Sequence, residues 1–481
     1  MNRALLLALL MFGCRGRCRP EGDGLGSADW DRRVTAVRRD RVAPTVRTDD
    51  LPAGEPAFVA LVVLDTVRAD RTSLCGYDKP TTPTLQALAD KAVVRCDAYS
   101  PATWTLPAHA SLFSGQPTAE HGVHTLGTPL ADSAETLAET FASRGYQTLF
   151  LSGNPVFNGE AGGFWQGFDR VVVAKALTGP MRGPSMSEIL EHELKRLDPS
   201  KPLFLVLNIF DAHDPYPAVP NGVPWAQAMG RTNLLPHTAK PDNPYYAFVT
   251  GQMKAEARPA YLARIQNAYP WAVHEADANL AEALKALRDH GWARKPHRMV
   301  ITSDHGEHLG EHELLRHGSA AWQSVTRVPF LYLDGTRPDD AAPVELPNPL
   351  STLEAWHLLR DGAPANPPRP VTSASAHNPE DFKPSWLTVA WWASTTDKWL
   401  HFDGEDRRYD LQTDPGESSP GPIDPAAPAA AALAAEVGRQ RVSIDAATAR
   451  GIDPAVLEML KVSGYVQDDE DDAQATPPSQ P

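Results

Sequence analysis

Phe58-Val59-Ala60-Leu61-Val62-Val63-Leu64 is an unbroken apolar run that stops at Asp65-Thr66. A strand-length run without alternation reads as a strand buried on both faces. Similar runs stand at Thr148–Leu151, Arg170–Val173, Leu203–Phe210, Met299–Thr302 and Val328–Leu333. Helical spacing lies between them. It is predicted over Thr84–Arg95, over Asp132–Gly145 with an Asp132/Glu135 start, and over Trp271–His290 with a stripe of Val273, Ala276, Leu280, Leu284 and Leu287. Strands alternating with helices predict an α/β fold, with a mostly parallel central sheet flanked by helices. After Leu333 the pattern weakens into Pro-rich segments. Trp386–Thr396 and Trp399–Phe402 then suggest a smaller C-terminal α+β subdomain, with a surface helix beginning within residues 421–436.

The chain has 481 residues, of which 42% are hydrophobic and 22% charged, so it carries enough apolar material for a sizeable core. Its net charge of −15 argues against a nucleic-acid partner, because phosphate neutralisation needs a basic field. No apolar run reaches the roughly 18 residues of a membrane-spanning helix. Ala4–Gly13, behind Asn2 and Arg3, reads as the core of a signal peptide. Gly13-Cys14 resembles a bacterial lipoprotein cleavage site, which makes Cys14 the expected lipid anchor and the chain an exported protein, periplasmic or at the cell surface. Cys75 and Cys96 are a candidate disulfide. The expected organisation is a leader at 1–18, a tether at 19–55, a catalytic domain at 56–345, a C-terminal subdomain at 346–466 and an acidic tail at 467–481.

Sites in parallel sheets gather at the carboxyl ends of the strands, and polar clusters stand there. Asp65 ends the first run, Asp211 and His213 follow Leu203–Phe210, and Asp304-His305 follow Met299–Thr302. Carboxylates, an imidazole and a hydroxyl from separate strand ends suit a divalent ion: zinc or manganese, or calcium or magnesium with fewer nitrogens. Thr105 precedes a helix with Pro107 in its first turn. A hydroxyl on a metal at a helix N-terminus is a nucleophile towards an anionic ester. His213 and His317 are candidates to hold the ester oxygens or to protonate the leaving group. The plainer readings are an N-cap for Thr105, a bond within the Asp214-Pro215 turn for His213, and a structural pair for Arg68 and Asp70. His308 and His312 read as solvent-facing loop residues beside Gly306 and Gly310.

These pieces resemble the sulfatase branch of the alkaline phosphatase superfamily. The resemblance runs from Phe58 to Leu333 and resumes at Lys398-Trp399-Leu400 and Tyr409–Glu417; Gly145–Thr148, Ser152-Gly153-Asn154 and Gln166–Asp169 also match. It implies an alkaline phosphatase-like fold. Sulfatases oxidise a Cys or Ser in Cys-x-Pro-x-Arg to formylglycine; the matching positions here are Thr105, Pro107 and His109. Oxidising a Thr alcohol gives a ketone, so no aldehyde hydrate can form. Asp65-Thr66 replaces the family's paired Asp, and Asp304-His305 its Asp-Asn. These departures are similar to lipoteichoic acid synthases and phosphoethanolamine transferases, which use an unmodified Thr.

The resemblance implies that Asp65, Thr105, Asp304 and His305 hold one divalent ion and that Thr105 is the nucleophile; His109, at the position of the sulfatase Arg, is a substrate contact or a spacer. A second ion would draw on Asp211 and His213 with His317, His377 or His401. The expected activity is hydrolysis of phosphate mono- or diesters through a Thr105 covalent intermediate. Three alternatives stay open: a sulfuric ester hydrolase working without formylglycine, a phospho-group transferase, and a non-catalytic module that binds surface glycans.

Overall fold

The computed structural model describes residues 34–39, 46–125, 128–159, 162–174, 185–232, 244–338, 340–375 and 387–450. The expected leader with Cys14, the acidic tail and His377 lie outside the described residues.

The nine strands of the main sheet are β1 (Val34–Arg38), β2 (Phe58–Leu64), β3 (Val93–Tyr99), β4 (Gln147–Ser152), β5 (Arg170–Ala174), β6 (Leu203–Ile209), β7 (His297–Thr302), β10 (Arg327–Asp334) and β11 (Leu350–Ser351). A short hairpin, β8 (His308–Leu309) and β9 (Leu315–Arg316), lies between β7 and β10. The spatial order is β1-β5-β4-β6-β2-β7-β10-β3-β11. β5, β4, β6, β2 and β7 pair in parallel. β10 is antiparallel to both β7 and β3, so β3 runs in the same direction as β2. The carboxyl ends of β2, β3, β4, β6 and β7 therefore open at one edge of the sheet.

Side-chain alternation on β2 makes two cores. Phe58, Ala60, Val62 and Leu64 pack with helices α4 (Met186–Leu194) and α5 (Arg258–Asp289). Val59, Leu61 and Val63 pack with α2 (Thr105–Ser114), α3 (Leu137–Ser143) and α6 (Glu354–Asp361) on the other face. Each fully buried Val, Leu or Phe contributes roughly 1.5–3 kcal/mol, which explains why the continuous runs mark the central strands. Gly115 ends α2 with φ 67°, and a Cβ there would stand 2.8 Å from the Trp356 ring.

Several boundaries differ from the sequence reading. The Thr84–Arg95 helix is only α1 (Pro83–Leu88) and a 3-10 turn at Ala89–Lys91; β3 takes over from Val93, disguised by Arg95, Cys96 and Asp97. The capping box of α3 is Thr136 and Glu139, not Asp132 and Glu135. α5 begins at Arg258 and runs through Pro270, so the proline is no boundary. Part of the expected tether, Val34–Arg38, is the edge strand paired with β5. The main sheet and its helices continue past residue 345 to Asp361 through β11 and α6.

The small antiparallel sheet is β12 (Thr372–Ser375), β13 (Thr388–Trp392), β14 (Asp397–Phe402) and β15 (Glu405–Asp410), followed by α7 (Pro428–Arg450). Val371, Ala390, Trp392, Leu400 and Tyr409 pack on Ala320, Ala321, Trp322 and Tyr99. Lys398 is fully buried at this seam. Its Nζ donates to Glu417 Oε1 at 2.5 Å and to the Ala321 carbonyl at 2.7 Å, and Glu417 Oε2 accepts from the Gln323 N–H at 2.6 Å. The Cys75–Cys96 disulfide ties the turn before α1 to β3.

Removing one partner of a buried ion pair strands the other charge, a cost of about 3–5 kcal/mol. Lys398→Ala should lose that much in urea unfolding, and Lys398→Met combined with Glu417→Gln should recover much of it.

Candidate active site

Five strand ends converge on one buried cluster. Asp65 follows β2, and Asp304-His305 follow β7; the three residues each bring a ligand atom within 4.8 Å of the others. Asp65 Oδ2 accepts from Asn154 Nδ2 at 3.1 Å and Asn208 Nδ2 at 3.0 Å. Asp304 Oδ1 accepts from the N–H groups of Thr66 at 3.1 Å and His305 at 2.9 Å. The second oxygens, Asp65 Oδ1 and Asp304 Oδ2, are buried without a hydrogen-bond partner. His305 Nδ1 donates to the Gly306 carbonyl at 2.9 Å, which turns Nε2 towards Asp304 Oδ2, 3.3 Å away. Two orphaned carboxylate oxygens beside an imidazole lone pair fit a divalent ion. Without a cation, burying both carboxylates is costly. Burial, with the Asp304 charge adding to it, pushes the Asp65 carboxyl up to about 8, and burial pushes Asp304 up to about 7.

The main chain around the cluster is strained and pinned. Thr66 has φ 62°, a conformation costly for a β-branched residue. Its carbonyl accepts from Tyr269 Oη at 2.6 Å, and Val67 N–H donates to Ser303 Oγ at 2.9 Å. Gly306 has no room for a side chain, since a Cβ would lie 2.2 Å from the Ser324 carbonyl oxygen.

Thr105 is the first residue of α2; Trp104 occupies the N-cap position and no side chain caps the helix. The Thr105 hydroxyl thus has no capping role. It lies 3.4 Å from His305 Nε2 and 3.4 Å from Asn154 Nδ2, at the edge of the carboxylate cluster.

His109 departs from the expected substrate contact. It is fully buried one turn along α2, between Phe113 and Phe157. Its Nδ1 donates to the Thr105 carbonyl at 3.0 Å, and its Nε2 accepts from Asn208 Nδ2 at 3.2 Å. Burial holds it neutral, with its pKa down at about 3. It braces α2 against the amide that holds Asp65.

His213 and His317 do reach the site. The His317 ring lies 4.3 Å from that of His305 and 5.0 Å from that of His213. His213 Nδ1 donates to the Asp214 carbonyl at 2.5 Å, the turn contact that its sequence allows, and burial holds its pKa well below the usual imidazole range. His317 Nδ1 is bonded to Glu307 Oε1 at 2.8 Å. Of the residues proposed for a second ion, His213 and His317 lie together, but Asp211 and His401 turn to other partners. Asp211 Oδ2 accepts from Asn279 Nδ2 at 2.8 Å, and His401 pairs with Asp406 at 2.7 Å in the small sheet. Among the described residues there is one candidate cluster. His308 and His312 do not face solvent as expected. His308 is buried with Nδ1 2.8 Å from Ser324 Oγ, and His312 stacks on Trp322 at 3.9 Å. Arg68 pairs with Asp70 at 2.7 Å as expected, and also with Glu311 at 2.8 Å.

Asn154, Asn208 and Glu307 carry roles that the sequence reading did not assign. Asn208 had a signal: it is the lone polar residue inside a buried apolar run.

A sulfatase family model matches residues 57–342, more than half of the chain. The chain belongs to the sulfatase family. The curated phosphoethanolamine transferase EptA of Helicobacter pylori is 24% identical over 309 residues, covering 62% of this chain and 52% of that protein. The chain thus spans about half the length of that relative. Among solved structures, the phosphonate monoester hydrolase of Agrobacterium radiobacter superposes with a TM-score of 0.56 at 18% identity, covering 82% of this chain and 96% of that one. A 2-O glycosaminoglycan sulfatase gives 0.55 at 16% identity, covering 82% and 92%. These likenesses confirm the sulfatase fold.

Metal loading should displace the protons that burial keeps on Asp65 and Asp304. Raised carboxyl pKa values mean that the apparent affinity for a divalent ion falls as the pH drops through about 8 and then 7. Titration calorimetry in buffers of different ionisation enthalpy should record proton release that vanishes above this window, and Asp304→Asn should abolish tight binding.

Proposed function

We propose that this sulfatase-family chain is a metal-dependent hydrolase that cleaves phosphate mono- or diesters through a covalent Thr105 intermediate. The observation that carries the reading is the unprocessed Thr105 hydroxyl, buried at a helix start 3.4 Å from His305 Nε2 and 3.4 Å from Asn154 Nδ2, the amide that also holds Asp65. A divalent ion held by Asp65, Asp304, His305 and the Thr105 oxygen would lower the hydroxyl pKa and offset the charge of the ester.

Thr105 Oγ1, its proton given up to solvent, attacks phosphorus as the bond to the leaving oxygen breaks. The N-terminal N–H groups of α2 and the positive end of its dipole favour the anion there. His317 Nε2 gives its proton to the leaving oxygen. Water then attacks the phosphothreonine, returns a proton to His317, and releases the phosphate product with Thr105 as the alkoxide that began the cycle. His213 suits a different task. Its Nδ1–H is spent on the Asp214 carbonyl and burial keeps it neutral, so Nε2 offers a lone pair to the incoming water.

Export is part of the proposal. The Cys75–Cys96 disulfide is at home in an oxidising compartment, and it supports the reading of residues 1–18 as a leader with a lipid anchor at Cys14. No described helix is long and apolar enough to cross a membrane.

Mass spectrometry of acid-quenched, substrate-treated protein should find the phosphoryl group on Thr105. Thr105→Ala should lower kcat about a thousandfold or more, while Thr105→Ser keeps measurable turnover. Sulfate ester turnover that dominates and survives Thr105→Ala would establish the sulfuric ester hydrolase instead.

A further inference from the structure

We infer that Glu307 is the positioning residue of His317, and that the pair serves an ester whose leaving group is an unactivated aliphatic alcohol. The inference rests on the proposed phosphoryl transfer, in which His317 protonates the leaving oxygen.

Three imidazoles crowd the site, and their Nδ1 partners divide them. His305 and His213 each bond to a main-chain carbonyl, of Gly306 and Asp214. His317 is the one of the three whose Nδ1 is bonded to a carboxylate, Glu307 Oε1 at 2.8 Å. A carbonyl fixes a neutral tautomer. A carboxylate also stabilises the ring when it carries a second proton, as a proton donor to a poor leaving group requires.

Glu307 is built to hold one position. It is fully buried, and its Oε2 accepts from Tyr216 Oη at 3.2 Å. Its N–H donates to the Ser324 carbonyl at 3.0 Å, and its own carbonyl accepts from Arg68 Nη1 at 2.8 Å. The main chain beside His317 is equally fixed. The Gly318 N–H donates to the Thr103 carbonyl at 2.9 Å, two residues before the nucleophile, and the Gly318 carbonyl accepts from Ser375 Oγ at 2.7 Å. With backbone and carboxylate both anchored, the bond to Nδ1 sets the rotation of the ring. Chemistry at His317 then runs through Nε2. An aryl leaving group departs without a proton, whereas an alkoxide needs one, so the pair has a task only with alkyl esters.

The test uses the full-length, metal-loaded protein with a nitrophenyl phosphodiester and an alkyl phosphodiester, and compares Glu307→Ala, Glu307→Gln, His317→Ala and the double alanine variant at measured metal content. Glu307→Ala should lose about 10- to 100-fold in kcat on the alkyl ester and little on the nitrophenyl ester. Glu307→Gln, which can accept the same Nδ1–H bond, should recover part of the loss, and the double variant should be no slower than His317→Ala alone. A double variant slowed by the product of the single losses, or equal losses on both esters, overturns the inference while the Thr105 adduct still forms. A missing Thr105 adduct in the unsubstituted protein overturns the reading beneath it and is seen in a separate measurement. If Glu307→Ala does not fold, the cycle is run with Glu307→Gln, and a Gln loss that is equal on both esters overturns the inference.

Discussion

Two carboxylates buried within a few ångströms of each other, each with one oxygen held by amides and one left bare, are the constraint around which this protein is arranged. Such a pair is tolerable only if protons or a cation take up its charge. The surroundings are organised to keep the bare oxygens pointed inwards. Asn154 and Asn208 hold Asp65, and the main chain at Thr66 and His305 holds Asp304. The strained turn at Thr66 follows from that demand, because its N–H must point at Asp304 and its carbonyl at Tyr269.

The fold was legible because its central strands are buried on both faces and carry no polar interruption that matters to the pattern. β2, β6 up to Asn208 and the Met299–Ile301 stretch of β7 appear as apolar runs. β3 does not, since Arg95, Cys96 and Asp97 break the run, and its identity comes from pairing with β10 far along the chain. Pro270 misleads for a related reason: tertiary packing carries α5 through a residue that local propensity would make an end.

The candidate site was legible where chemistry and strand ends coincide, at Asp65, Thr105, Asp304 and His305. It was opaque where a role depends on which way a side chain turns. His109 sits on the expected helix, yet packs under the site between two Phe rings instead of facing substrate. Asp211 and His213 are two residues apart, but one turns to Asn279 on α5 and the other to the imidazole cluster. Spacing alone carries no information about that divergence.

The small C-terminal sheet has a bearing on how such a chain can change. Ser375 and Lys398 reach from it to Gly318 and Ala321, the stretch just after His317, while Asp65 and Asp304 are held by Asn154, Asn208 and the main chain at Thr66 and His305. Under the proposed function, a chain cut back to its large sheet would lose the brace on His317 while the carboxylates kept theirs. On that reading, drift in the smaller sheet would retune proton delivery at His317 while leaving the hold on Asp65 and Asp304 unchanged.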